Sequence, residues 1–197
     1  MNDIVKKVKI ALAENNETLI KQIEDILAQN EKRDFTKMKS GDRFFYCGFE
    51  WIYLGMEQDG ALCITANIYK EMIFDKESRN NWRNSSFKEE LNNEFLNKLN
   101  RKDLLPFRMD LVADNGDDAY GMSFQYVGIL SYEQYLKYRK VIPLFDKWMW
   151  TCTPWYCGSN SCGVAHVRCV DQTGCLYNAA ARISRGVVPA CIFSVEY

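Results

Sequence analysis

The only histidine of the chain, His166, lies in a stretch that is rich in cysteine. Cys162 and Cys169 are the cysteines nearest to it, so a thiol–imidazole pair is the first chemistry to consider. Such a pair normally needs a carboxylate that orients the imidazole. No Asp or Glu motif adjoins His166. The residues therefore predict no catalytic centre, and we expect that the chain is not an enzyme.

The cysteines are distributed unevenly along the chain. Six of the eight lie in its last 46 residues, at Cys152, Cys157, Cys162, Cys169, Cys175 and Cys191. None of their intervals has the Cys-x-x-Cys spacing of a tetrahedral zinc site, and a single histidine is a poor addition to one. The start of the chain lacks the apolar run of a signal peptide, which favours a reducing compartment. We expect eight free thiols, no structural metal and no cofactor.

Four aspartates surround the dipeptide Asn115-Gly116 and resemble a calcium site at first sight. They are Asp110, Asp114, Asp117 and Asp118. Their spacing differs from that of the twelve-residue calcium loop, and the bidentate glutamate that ends such a loop is missing. The cluster therefore predicts a solvated turn.

Residues 151–185 combine aromatic side chains with short hydrogen-bonding ones and few charges. Only five charged residues occur in the last 50 positions of the chain. Tyr and Trp provide contact area at a low entropy cost, and Ser and Asn adapt their hydrogen bonds, as in antibody combining sites. We assign ligand binding to this segment, with the candidates Trp155, Tyr156, Ser159, Asn160, His166, Arg168, Asp171, Tyr177, Asn178 and Arg182.

The neighbours of these residues separate an expected core from an expected surface. Trp148 and Trp150 belong to a continuous apolar run and are expected in the core. Small or polar residues flank a second set, which is expected to be displayed: Tyr156, Asn160, His166, Arg168 and Tyr177. Trp155 fits either environment, and an ordinary loop is the alternative for the whole segment.

Length and charge limit the classes of partner. The chain has 197 residues, which suits one domain with an appendage. Its 25 basic and 26 acidic residues give a net charge of −1, so the charge implies neither a nucleic acid nor an anionic membrane. No stretch approaches the roughly 18 apolar residues of a spanning helix. We expect a cytoplasmic protein with no membrane partner.

Residues 1–32 are predicted to form a helical arm. The apolar residues Ile4, Val8 and Leu12 share one helix face, and Leu19, Ile23 and Ile26 lie on one face of a second helix. A narrow apolar seam suits a partner helix, so residues 4–27 are candidates for homo-oligomer formation. The alternative is that the arm packs on its own domain, residues 33–197.

The domain that follows is predicted to be α+β. Runs of aromatic and β-branched residues at 43–47, 50–54 and 61–65 predict an antiparallel meander, with Gln58-Asp59-Gly60 as a hairpin turn. Ser85 and Ser131 have the type and position of helix N-caps. Residues 126–130 are predicted to form a strand, and the segment after Trp148 is predicted to be irregular, with loops and short strands.

Five short motifs in this order resemble the family catalogued as domain of unknown function 6273, which occurs mostly in Firmicutes and their phages. The motifs are Gly41-Asp42 with Glu50-Trp51-Ile52-Tyr53-Leu54; Trp82-Arg83-Asn84-Ser85-Ser86-Phe87 with Leu91-Asn92-Asn93-Glu94-Phe95-Leu96; Ile129-Leu130-Ser131-Tyr132-Glu133-Gln134-Tyr135; Trp148-Met149-Trp150-Thr151; and Arg185-Gly186-Val187-Val188-Pro189-Ala190. Thr151 and Val188 stand where this family usually has arginine.

The resemblance implies a C-type-lectin-like fold, with an antiparallel sheet core, two flanking helices and an irregular C-terminal region. It implies a non-catalytic recognition protein of phage, prophage or bacterial accessory type, which acts in the host cell or in the virion on a protein or surface ligand. One alternative is a phage-encoded inhibitor of a host defence complex. Another is a small thiol- or copper-dependent oxidase-like enzyme, because formylglycine-generating enzymes are similar in shape and use paired cysteines.

Overall fold

The computed structural model of the protein describes residues 33–157 and 165–195, together with Ile10. Apart from Ile10, the predicted helical arm lies outside the described residues, as do the binding candidates Ser159 and Asn160. The described part is α+β, with mostly strands. The strands are β1 Arg43–Tyr46, β2 Phe49–Glu57, β3 Gly60–Thr65, β4 Lys70–Ile73, β5 Leu104–Leu105, β6 Phe107–Asp110, β7 Met122–Gln125, β8 Met149–Pro154, β9 His166–Val170, β10 Leu176–Ala180, β11 Ser184–Val187 and β12 Ala190–Phe193.

The first sheet has the strand order β1-β2-β3-β12-β5, and all its neighbouring strands are antiparallel. Strands β1, β2 and β3 confirm the predicted meander. Gln58 and Asp59 join β2 to β3 with φ angles of 53° and 65°. Positive φ at both central residues is the conformation of a type I′ hairpin turn, as expected for Gln58-Asp59-Gly60.

The second sheet has the strand order β10-β9-β8-β11-β4. Its strands pair antiparallel except for β8 and β11, which run parallel and pair Met149 with Gly186. A Cβ atom at Gly186 would lie 3.0 Å from the backbone oxygen of Trp148. Glycine at this position therefore allows the close approach of β11 to the chain before β8. Strands β6 and β7 form a separate two-stranded ribbon.

The short strands expected after Trp148 are present as β8 to β12, but the expectation of an irregular region is wrong, because these strands belong to the two sheets. Strand β8 is buried at each of its six residues, although apolar and polar residues alternate in its sequence from Trp150 to Pro154. Strands β10 and β11 contain Ala, Asn, Ser and Gly, which have low strand propensity. Pairing with distant strands, rather than local preference, determines their conformation.

Helix α1, Ser86–Glu90, continues as a π-helical turn, Leu91–Phe95, and a 3-10 turn, Leu96–Lys98. The Ser85 hydroxyl accepts a hydrogen bond of 3.1 Å from the backbone N–H of Lys88, which confirms the predicted cap. Phe87, Leu91, Phe95 and Leu99 are buried, so they form the inward face of this segment.

Helix α2, Tyr132–Tyr138, begins with a capping box. Ser131 and Gln134 each accept a hydrogen bond from the backbone N–H of the other, so this predicted cap is confirmed as well. The strand predicted just before it is wrong. Residues 122–125 form β7, whereas residues 126–130 are irregular and contact the first sheet only through a bridge between Gly128 and Ala190.

One contiguous cluster of buried residues joins the two sheets and α1. Trp51, Trp82 and Trp150 are among its largest members. The prediction that Trp150 belongs to the core is therefore confirmed, whereas Trp148 is only half-buried at the edge of the cluster. In the part of the chain that the structure describes, no helix is both long enough and apolar enough to cross a membrane.

Candidate functional site

The hairpin of β9 and β10 carries half of the candidate binding residues. Arg168 pairs with Asn178, and Tyr177 pairs with Cys169. Residues that are directly opposite each other share a face of the sheet, and successive residues along a strand alternate between faces. His166, Arg168 and Asn178 therefore lie on one face and Tyr177 on the other. The predicted surface is divided by the sheet rather than continuous.

Arg168 is the centre of a cluster on the first of these faces. Its guanidinium carbon lies 5.1 Å from the ring centroid of Tyr132 and 5.6 Å from that of Trp155. The Trp155 ring in turn lies 6.1 Å from the His166 ring. A cation over an aromatic face contributes about 0.5 to 2 kcal/mol, and more when water is excluded. The planar, charged guanidinium of Arg168 is therefore held against the rings of Tyr132 and Trp155 on the second sheet.

An ion pair to Asp114 completes the Arg168 cluster. Nε of Arg168 lies 3.2 Å from Oδ1 of Asp114, although the direction is not that of a hydrogen bond. Only 16% of the Arg168 side chain is exposed. The expectation of a freely displayed Arg168 is thus wrong, because the cation is held by two rings and a carboxylate. Tyr156, which follows Trp155 in the chain, is 38% exposed, as expected.

The aspartate-rich segment forms the turn that the sequence predicts, and that turn positions Asp114. Asp117 and Asn115 each accept a hydrogen bond from a backbone N–H two residues later. The backbone N–H of Asp114 donates to the carbonyl of Pro154, the last residue of β8. The turn is therefore fastened to the end of β8, which brings the Asp114 carboxylate to Arg168. The sequence contains no signal for this contact.

Asn80 supports the same end of the sheet and was not among the predicted residues. It is 1% exposed. Its Nδ2 donates to the backbone oxygens of Tyr156, at 2.8 Å, and His166, at 2.9 Å. Its Oδ1 accepts from the Tyr120 hydroxyl at 2.9 Å. One buried amide thus bridges the end of β8 and the start of β9, which carry the candidate residues, and it sets the distance between them.

Three candidates lie away from the Arg168 cluster. Asp171 forms the β9–β10 turn, where its Oδ1 accepts from the backbone N–H groups of Thr173 and Cys175. Tyr177 packs against Trp148, with ring centroids 5.1 Å apart. Arg182 is exposed between β10 and β11. The assignment of one surface to all ten candidates is therefore wrong for these three, and Asp171 has a structural role in its turn.

Two of the described cysteines near the candidate residues, Cys152 and Cys169, lack the lowered pKa of a thiol nucleophile. The seven described cysteines are free thiols, and Cys162 lies outside the described residues. Burial raises the pKa of Cys152 to about 12 and that of Cys169 to about 11. Reactive thiolates need the opposite shift. Cys169 also lies on the other face of β9 from His166, so these two residues do not form a catalytic pair.

The cavities beside the Arg168 cluster are small. One is lined by Asp114, Tyr132 and Thr153, among others, and has a volume of about 210 Å³. A neighbouring one, lined by Glu57 and Glu133 among others, has about 240 Å³. Ligand pockets usually have about 300 to 1,000 Å³. This end of the molecule is therefore suited to a flat contact with a large partner rather than to the enclosure of a small molecule.

Comparison with known proteins gave no family to which the chain can be assigned. No family model matches it. No curated protein and no solved structure matches it either.

Proposed function

We propose that the chain is a non-catalytic recognition protein that binds a protein or surface ligand through Trp155, Tyr156, His166 and Arg168. The observation that carries this proposal is the Arg168 guanidinium over the rings of Tyr132 and Trp155, together with the exposure of Tyr156, the residue that follows Trp155. Arginine and aromatic residues dominate the energetics of protein interfaces. Their anchorage on strands, through Asn80, reduces the entropy that binding would otherwise cost.

The scaffold of this proposed function is a C-type-lectin-like domain of phage, prophage or bacterial accessory type. One feature supports the resemblance. The motif residues Trp82, Phe87 and Phe95 are all fully buried, as expected for residues that define a fold. Thr151, which replaces the arginine of the motif, donates a hydrogen bond of 2.8 Å to the backbone oxygen of Arg168. The recognition cluster is thus coupled to a position where this chain departs from the motif.

The test compares two exposed aromatic residues, one among the candidate binding residues and one outside them. We expect Tyr156→Ala to weaken the capture of a specific binding species from bacterial or phage extracts by about 2 kcal/mol, or about 30-fold, because central aromatic anchors have effects of this size. The matched control is Phe124→Ala, since Phe124 is 65% exposed on the β6–β7 ribbon. Surface substitutions change stability by about 0.5 kcal/mol or less, so both variants should melt like the native chain.

The measurement is quantitative mass spectrometry of proteins and glycans retained on the immobilised chain, followed by titration of the retained species. Loss with Tyr156→Ala alone supports the proposal, and the identity of the species separates a surface ligand from a host defence complex. Equal capture by Tyr156→Ala and by the native chain contradicts it.

We propose further that residues 4–27 mediate homo-oligomer formation through the apolar seam of Leu19, Ile23 and Ile26. A chain without residues 1–32 should then have the molar mass of its own monomer in light scattering, whereas the full chain should have an integral multiple of its monomer mass. The double change Leu19→Ser and Ile23→Ser should have the same effect, because it removes the seam and leaves the length unchanged. A full chain that is monomeric at micromolar concentration contradicts this part of the proposal.

A further inference from the structure

A second cationic group lies on the other face of the second sheet from Arg168. The guanidinium carbon of Arg185 is 4.7 Å from the ring centroid of Trp148. The Trp148 ring packs against Tyr177 with an interplanar angle of 34°. Tyr177 is 47% exposed, and Trp148 is half-buried. An arginine and two aromatic rings thus form a continuous group at the surface.

The strand pairing explains why these three side chains meet. The backbone N–H of Gly186 donates to the carbonyl of Trp148 at 2.6 Å, which brings β11 beside the residue that precedes β8. Side chains alternate along β11, so Arg185 is on the opposite face from Gly186. Tyr177 reaches the same face from β10, two strands beyond β8. The group is therefore built on the sheet and not on loops.

The charge of Arg185 is not balanced within the described part of the chain. Arg168 has Asp114 as its partner, and Arg79 has Asp75. No carboxylate of the described residues lies within 4.0 Å of Arg185. Its Nη1 donates to the adjacent carbonyl of Ser184 at 3.3 Å, and its other hydrogen-bond partner is the uncharged thiol of Cys169, whose pKa burial raises to about 11. A half-buried cation without a counter-charge is unfavourable, and a bound anion would relieve this.

We propose that Arg185, Trp148 and Tyr177 bind an oxyanion carried on a flat apolar body, such as an aromatic carboxylate or an aryl phosphate. Guanidinium groups recognise carboxylate and phosphate oxygens through parallel N–H donors. The Tyr177 ring, which is 47% exposed and supported by Trp148, offers a flat face on which the apolar body of the ligand stacks. The site is separate from the Arg168 cluster, so it neither needs nor supports the recognition function proposed above.

The test titrates the full chain, labelled with ¹⁵N, with benzoate and with phenyl phosphate. Neutral benzamide has the same ring without the charge and is the ligand control. We expect a saturable shift of the Trp148 indole N–H signal, which Trp148→Phe identifies, with at least one of the two anions and not with benzamide. Arg185→Gln should weaken this binding at least tenfold. Arg182→Gln, which removes an exposed arginine three residues earlier, should leave it unchanged.

A second variant distinguishes loss of the site from loss of the fold. Tyr177→Ala removes an exposed side chain, so it should weaken binding without lowering the melting temperature. The proposal is overturned if neither anion gives a saturable shift, if benzamide gives the same shift, or if Tyr177→Ala and folded Arg185→Gln bind like the native chain. The Tyr156→Ala chain should bind the anion normally, which keeps this test independent of the recognition surface.

Discussion

Trp150→Ala should lower the free energy of unfolding by about 3 to 5 kcal/mol, the usual effect of truncating a buried tryptophan. The Trp150 side chain is 1% exposed. Its ring packs edge-on against Phe74, with centroids 5.7 Å apart, and its indole N–H donates to the backbone oxygen of Met72 at 3.0 Å. The substitution therefore opens a cavity and also leaves a buried carbonyl without its donor. For a chain of this length, the melting temperature should fall by roughly 10 °C or more.

Trp148→Ala is the matched control, because the same residue type stands two positions earlier but only half-buried. We expect a smaller loss for it, since less area is removed from the core. Urea unfolding of both variants, followed by circular dichroism, measures the difference. Equal losses would mean that the half-buried and the buried tryptophan contribute alike, which would contradict the separation of core and edge described above.

The sequence predicts local features of the fold well. Strands β1 to β3 and both serine caps follow from residue types at short spacing, since a hairpin turn and an N-cap are each determined within about four residues. The error at residues 126–130 has the same origin. An apolar run of five residues is typical of a buried strand and of a buried irregular segment alike. Only the partner, Ala190, shows which of the two is formed.

The C-terminal strands and the site depend on contacts that the sequence does not specify locally. Asn80 contacts Tyr156 and His166 across 76 and 86 residues, and nothing around Asn80 predicts these partners. Arg168 has the expected type for a recognition residue, but its ion pair with Asp114 arises from the fastening of a distant turn to β8. The composition of the segment therefore indicates candidate residues, whereas the strand register determines which of them share a face.

Asp75→Ala should also lower the free energy of unfolding, by about 1.5 to 3 kcal/mol, the usual effect of losing hydrogen bonds to a charged group. Asp75 is fully buried. Its two oxygens accept hydrogen bonds from the backbone N–H groups of Glu77, Arg79 and Ser86 and from the Arg79 guanidinium. The carboxylate thus fastens the segment between β4 and α1. Its removal takes the acceptor from these backbone donors and leaves Glu77 as the carboxylate that pairs with Arg79.

Glu77→Ala is the matched control, because Glu77 also pairs with Arg79, at 3.0 Å, but is 71% exposed. Exposed ion pairs contribute about 0 to 1 kcal/mol. We therefore expect Glu77→Ala to unfold nearly like the native chain. If both substitutions have the same effect, the ion pair rather than the buried hydrogen-bond network would be the source of the stability.

The pH dependence of the free energy of unfolding should show whether the charge or the shape of the Asp75 side chain stabilises the fold. Although burial alone raises the pKa of Asp75, the hydrogen bonds from Arg79 and Ser86 outweigh it and hold this pKa below the usual value. A carboxyl group whose pKa is lowered in the folded state stabilises the fold above its unfolded pKa, about 3.9, and this contribution is lost as the pH falls through the folded pKa.

Asp75→Asn keeps the shape of the side chain and cannot ionise. The native chain should therefore be more stable than Asp75→Asn at pH 7, and urea unfolding should show that this difference narrows below about pH 4. A difference that stays constant from pH 7 to pH 3 would mean that the geometry of the side chain, and not its charge, holds the segment.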